Sequence, residues 1–312
     1  MGKEGSAIES SSGTLEGRSV ALVLGSGGAR GLAHMGVIHA LEAAGADIQA
    51  IAGSSMGALV GGMYAAGQLN NYQTWVETLE RSDVLSMVDW TLSGGLIRGK
   101  KITQKLAELA GEVNIEDLDI DFTAVAVDID QGREVWLDHG SLYEAIRASI
   151  AIPGLFTPHP YRGRTLVDGG LLNPIPISPT LRSMCDLTIV VNVNGAEDHE
   201  DNEQTLPSGP EQGDEVGLMD RVRELIENFS KDKPKAEQTP PGLIAVLIRS
   251  LDTMEAAIAR HNMAMFSPDL VITVPKGICQ AHEFYRAGEV RRIGEKIAQD
   301  ALKTFRPHHP RW

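Results

Sequence analysis

Cysteine is scarce in this chain, with only Cys185 and Cys279 among 312 residues. They stand in unrelated contexts, which argues against a disulfide scaffold and fits a reducing compartment. Positive charge is also short: 28 Lys and Arg face 42 Asp and Glu, a formal net charge of −14. Phosphate backbones would be repelled, so no nucleic-acid partner is expected, nor a generally basic membrane-binding face, although a local apolar one stays open. No run is suited to crossing a bilayer, because the uncharged region Ala50 to Val76 is rich in Gly, Asn and Gln. The polar start, Met1 to Arg18, lacks the apolar centre of a secretory signal, and a cytoplasmic protein is expected. Met1-Gly2-Lys3-Glu4-Gly5-Ser6 matches the loose myristoylation pattern, as many unmodified chains do. No His, Cys or carboxylate cluster has metal-ligand spacing, so no metal and no cofactor are expected.

What the chain does have is organised around one turn, Gly53-Ser54-Ser55-Met56-Gly57. The apolar stretch Ile48 to Ala52 leads in and the small-residue stretch Ala58 to Ala66 leads out, the pattern of strand, sharp turn and helix. Gly53 and Gly57 remove side chains that would collide as the backbone doubles back, and Ser55 is projected outward at a helix amino end. The helix dipole and its free N–H groups favour developing negative charge there, making Ser55 the candidate nucleophile.

Ser19 to Leu24 is an apolar run of strand length, ending in the glycine-rich loop Gly25-Ser26-Gly27-Gly28-Ala29-Arg30-Gly31. A helix from Leu32 to about Gly45 follows, and strand, loop, helix and strand together make a unit of a parallel sheet. Helices are expected over Asn70 to Leu109, broken at Ser93-Gly94-Gly95. Strands are expected at Phe122 to Asp128, Glu134 to Leu137, Thr165 to Val167, Leu187 to Val193 and Leu270 to Val274. Proline density makes Ile152 to Pro158 an ordered loop, and Asp168 ends its strand on the turn Gly169-Gly170. Helices close the chain near Leu243 to Met265 and Glu283 to Leu302. Ala196 to Pro240 holds 13 acidic and 5 basic residues, a net −8. It is expected as a mobile surface insertion carrying one amphipathic helix, Leu218 to Phe229, either docked on the body or serving as a lid or lipid-contacting helix.

Four features in this order, the glycine-rich loop, the serine elbow, the Ala148-Ser149 to Pro158 loop and Asp168-Gly169-Gly170, resemble the patatin-like phospholipase family. The likeness is to its bacterial members and to the catalytic domain of neuropathy-target-esterase-type enzymes, over roughly residues 18 to 300 without the insertion. It implies an α/β fold, a three-layer α/β/α sandwich on a mostly parallel sheet, as a single domain (18–312) behind a flexible tail (1–17). It further implies a Ser55–Asp168 dyad without histidine, and an oxyanion hole from the loop residues Gly27, Gly28, Ala29 and Arg30. The implied substrate is a fatty acyl ester of a phospholipid or lysophospholipid, met by transient peripheral contact with a membrane. The family often has glycine where this chain has Ser26, a difference expected to matter little because the side chain can point away. Arg30 is open between a structural pairing and an anion-facing role.

Rival readings stay open at this level. The spacing Gly25-x-Gly27-x-x-x-Gly31 misses a dinucleotide fingerprint by one residue, and no Gly-Lys-Ser/Thr completes a P-loop. The order Ser55, Asp168 and then His261 or His282 would suit an ordinary α/β-hydrolase triad, whereas His34 and His39, on the first helix, suit packing or surface. An acyltransferase or a catalytically weak scaffold would carry the same motifs, and the oligomeric state is not legible.

Overall fold

A computed structural model describes residues 15–86, 100–196 and 243–306. The apolar runs form its centre. Strands β1 (Ser19–Leu24), β2 (Asp47–Ser54), β3 (Asp121–Asp128), β7 (Leu187–Gly195) and β8 (Leu270–Pro275) lie parallel in the order β3-β2-β1-β7-β8. Their near-continuous burial, five of six residues in β1 and seven of eight in β3, is what a strand covered on both faces requires. Three further strands complete an eight-stranded sheet: β4 (Arg133–Leu137), β5 (His159–Tyr161) and β6 (Arg164–Asp168). All three pairings beyond β3 are antiparallel.

The register at β3 places the site. Val125 pairs with Ser54 of β2 on one side and Trp136 of β4 on the other, whereas Ala126 pairs with Val135 of β4 and Asp168 of β6. Strand β6 therefore takes over the edge of β3 just where β2 ends. Running antiparallel, it delivers its last residue, Asp168, beside the turn that follows Ser54.

Helices α1 (Ala33–Ala43), α2 (Met56–Ala65) and α6 (Leu142–Ser149), with the last helix, α8 (Ala287–Thr304), share the larger hydrophobic cluster with alternate residues of the sheet. Helices α3 (Leu69–Glu77), α4 (Arg81–Ser86) and α5 (Lys100–Ala110) lie between α2 and β3 in the chain. The opposite face is covered by α7 (Leu243–Phe266), whose Ala259, Met263 and Phe266 pack with Val23, Ile175, Ile177 and Val190. Helices thus flank both faces of the sheet.

Several expectations change in detail. Residues 15–17, expected in a flexible tail, belong to the folded body, since Leu15 is fully buried and its N–H donates to the Ala44 carbonyl. The helix expected from Leu32 begins one residue later, after a 3-10 turn at Gly28–Leu32. The short strand β5 lies just beyond the expected Ile152 to Pro158 loop, at residues to which the sequence assigns no element, because three residues leave no period to detect. The break at Ser93-Gly94-Gly95, the insertion beyond Ala196, its amphipathic helix and the Met1 to Ser6 motif lie outside the described residues. Among those described, no helix is long and apolar enough to cross a membrane, and no group of His, Cys, Asp and Glu could hold a metal ion.

Candidate active site

Ser55 caps α2 with φ 55° and ψ −122°, a left-handed conformation that a serine adopts only when its surroundings impose it. Here the surroundings are backbone. A Cβ on Gly57 would strike the Leu24 carbonyl, and one on Gly53 would strike the backbone of Gly57. The elbow is thereby pressed against the end of β1, where the glycine-rich loop starts. Ser149, the last residue of α6, pins the strained turn: its hydroxyl accepts the Ser55 N–H at 2.9 Å and donates to the Val125 carbonyl at 2.6 Å.

The Ser55 hydroxyl donates to Asp168 Oδ2 at 2.6 Å, a short charge-assisted geometry, and the Gly170 N–H donates to Oδ1 at 2.7 Å. Both side chains are buried, Ser55 at 4% exposure and Asp168 at 5%. Burial, reinforced by the nearby charge of Glu255, pushes the Asp168 carboxyl up to about 7 despite its two hydrogen bonds. The hydroxyl hydrogen bond runs to a carboxylate, not to an imidazole, and that carboxylate is raised to about 7.

The glycine-rich loop is fixed by partners on several sides. The Ser26 N–H donates to the Pro174 carbonyl, and the Ser26 carbonyl accepts from Asn194 Nδ2 at 2.8 Å. His34 is fully buried on α1 and bonds the Gly25 carbonyl through Nε2 at 2.8 Å. Burial lowers its pKa to about 4, so it stays neutral and serves as a loop anchor. Ala29, expected among the oxyanion donors, is corrected out of that set: its N–H donates to the Ala281 carbonyl at 2.8 Å. Arg30 turns its Nε to the Gly27 carbonyl at 3.2 Å and so braces the loop. Among the described residues, the N–H groups of Gly27 and Gly28 have no such backbone acceptor. His261 and His282 lie exposed on the surface, and His39 is half-buried.

Ser26 departs most from what its sequence position suggested. Its side chain is buried, and its hydroxyl donates to Glu255 Oε2 on α7 at 2.8 Å. Nothing local in the sequence marks Glu255, one of several charged residues on a long helix. Ser149 had been named only as the start of a loop.

Fold and site together define an α/β protein with a strained strand-to-helix elbow whose serine faces an aspartate. A family model described as "Patatin-like phospholipase" matches residues 22–181. An uncharacterized NTE family protein of Mycobacterium tuberculosis is 40% identical over 330 residues, covering 92% of this chain and 92% of that protein. The chain belongs to the patatin-like phospholipase family, a family of lipid-hydrolysing enzymes. Lysophospholipase NTE1 of Saccharomyces cerevisiae is 30% identical over 192 residues, or 59% of this chain but 11% of that much longer protein. Among solved structures, VipD from Legionella pneumophila aligns at a TM-score of 0.44 and 13% identity, covering 92% of this chain and 67% of that one.

Proposed function

We propose that the protein hydrolyses fatty acyl esters of phospholipids or lysophospholipids through an acyl-serine intermediate, using Ser55 and Asp168 as its catalytic pair. The reading is carried by one observation, the 2.6 Å hydrogen bond from the Ser55 hydroxyl to a buried carboxylate. Ser55 Oγ attacks the ester carbonyl as its proton passes to Asp168. The negative charge on the carbonyl oxygen is held by the free N–H groups of Gly27 and Gly28, each such donor being worth about 3 kcal/mol in comparable sites. Asp168 returns the proton to the departing alcohol as the C–O bond breaks. A water molecule then loses a proton to Asp168 and attacks the acyl carbonyl; as the bond to Ser55 Oγ breaks and the fatty acid leaves, Asp168 returns that proton to Oγ.

A carboxylate of ordinary proton affinity would be a poor base for a hydroxyl, and the burial of Asp168 supplies the remedy. The enzyme works from the cytoplasm and touches the lipid surface only while turning over. The membership of lysophospholipases in the same family supports the substrate class.

The test is covalent labelling. A fluorophosphonate probe is expected to add one mass label, on Ser55, and Ser55→Ala to abolish both the label and the hydrolysis of a p-nitrophenyl acyl ester. His261→Ala is expected to keep turnover. Loss of turnover in that variant with the fold intact would point to a histidine triad instead.

A further inference from the structure

Glycine at position 170 lets three side chains meet. A Cβ built there would lie 3.0 Å from Glu255 Oε1, 3.0 Å from Ser26 Cβ and 3.1 Å from Asp168 Oδ1. The two carboxylates flank that one point, so their facing oxygens are no more than about 6 Å apart, the range over which one charge alters another's proton affinity. We propose that Glu255 is a positioning residue that acts through Asp168: its carboxylate, pinned by the Ser26 hydroxyl, sets the pH window in which the catalytic pair works. The inference rests on the Ser55–Asp168 reading and deepens it.

The charges around the pair are few. Asp168 meets Glu255 across Gly170, and its own hydrogen-bond donors, Ser55 and Gly170, are uncharged. Glu255 lines a small cavity of about 270 Å³ with Arg30 of the loop, Asp252 and Arg260 of α7 and Lys276 after β8. Its own proton affinity is raised by burial first, then countered by the Ser26 hydrogen bond, raised again by Asp252 and lowered by Arg30. The Ser26 hydroxyl thus favours the charged form of Glu255, and that charge makes Asp168 a stronger base. In a site where the second loop residue is glycine this donor is missing, so the device belongs to Ser26 and Glu255 together.

The sign of the effect is definite. Turnover needs ionised Asp168, so activity rises with pH through about 7. Removing the charge of Glu255 lets Asp168 ionise at lower pH and leaves it a weaker base.

The experiment is the pH profile of kcat/KM for a p-nitrophenyl acyl ester, with the rate of fluorophosphonate labelling of Ser55 as a second readout. In Glu255→Gln, which keeps an oxygen for Ser26, the acidic limb is expected to move to lower pH by roughly half a unit or more. The plateau is expected to fall about twofold and KM to stay unchanged. Ser26→Ala moves the limb in the same direction by less, and Glu255→Asp, which keeps the charge, stays nearer the wild type. Lower activity with an unmoved limb in both Glu255→Gln and Ser26→Ala would reduce Glu255 to a packing role and overturn the proposal. If wild-type Ser55 escapes the probe, or Asp168→Asn keeps full turnover, the dyad reading itself falls and takes this inference with it.

Discussion

At the amino end of the parallel strands, Asp121 and Asp138 share Arg182, with Nη2 to Asp121 at 2.9 Å and Nη1 to Asp138 at 2.6 Å. At the carboxyl end of the same sheet, Asp168 sits beside a second carboxylate, Glu255, and accepts hydrogen bonds from a hydroxyl and an amide. In the first cluster partial burial is the largest single influence and works to raise both carboxyl groups, but the hydrogen bonds and charge of Arg182, joined by the hydrogen bond of Ser183 on Asp121 and of His139 on Asp138, together outweigh it and hold them below the usual carboxylate range. In the second, burial acts without a paired cation and the group titrates near neutrality. One side-chain type is held ionised as an anchor at one end of the sheet and, at the other, occupies the place of the proposed base. The two clusters differ in depth and in partner at once: a guanidinium faces the two shallower carboxylates, whereas the deeply buried Asp168 has only uncharged hydrogen-bond donors.

The largest way to break this contrast is Asp168→Asn. The amide keeps an oxygen for the Gly170 N–H and offers an N–H to Ser55, so the fold survives while the base is lost. Turnover is expected to fall by about 10³-fold or more, measured as kcat/KM on an acyl ester. The same variant is expected to be more stable than the wild type at pH 8. Because the folded-state pKa of Asp168 lies above its unfolded value of 3.8, the stability it contributes is complete below about pH 4 and is lost as pH rises through about 7. Removing the titration restores about 2–4 kcal/mol at pH 8 and nothing at pH 4, which urea unfolding at the two pH values would show. Equal stabilities at both would mean that Asp168 ionises without penalty.

His34 sharpens the contrast as a buried titratable group outside the Ser55–Asp168 pair. Its pKa is lowered by burial from 6.5 to about 4, so the stability it contributes is present above 6.5 and lost as pH falls through about 4. His34→Gln, which retains a donor for the Gly25 carbonyl, is expected to lose less stability than the wild type between pH 7 and pH 4. The difference is at most about 3 kcal/mol by urea unfolding.

How much of this was legible in the sequence depends on the range over which each residue acts. Ser55 and Asp168 each stand on a local turn flanked by glycines, and the close approaches at Gly53, Gly57 and Gly169 are made within a few residues of them or to a neighbouring strand. Such turns leave a mark in the sequence. The apolar strands leave one too, because burial on both faces allows little else. The takeover of the β3 edge by β6 leaves none, since the pairing of Ala126 with Asp168 joins residues far apart in the chain. Glu255 is hidden for the same reason: its helix approaches Ser26 from 229 residues away, and its spacing on α7 is that of any half-buried charge. The family likeness places Ala29 among the donors by its position in the loop, and the approach of Ala281, far along the chain, takes up its N–H.

The smallest effect is expected at the anchoring end. Arg182, Asp121 and Asp138 have side-chain exposures of 42, 40 and 25%, so solvent screens much of their attraction. Arg182→Met is therefore expected to cost only about 1 kcal/mol at pH 7 in urea unfolding, with kcat/KM and its pH profile unchanged. Its pH dependence runs against that of Asp168→Asn. Asp121 and Asp138 have depressed folded-state pKa values, so the stability they contribute is present above their unfolded 3.8 and lost as pH falls below it. The deficit of Arg182→Met should accordingly vanish in acid, where both carboxyl groups are protonated and the guanidinium has little left to hold. One variant thus loses its handicap, and the other its advantage, on the same descent in pH. A deficit in Arg182→Met that persisted undiminished at pH 3 would show that Arg182 supports the sheet through its packed stem and not through its charge, and the contrast between the two ends would then not be electrostatic.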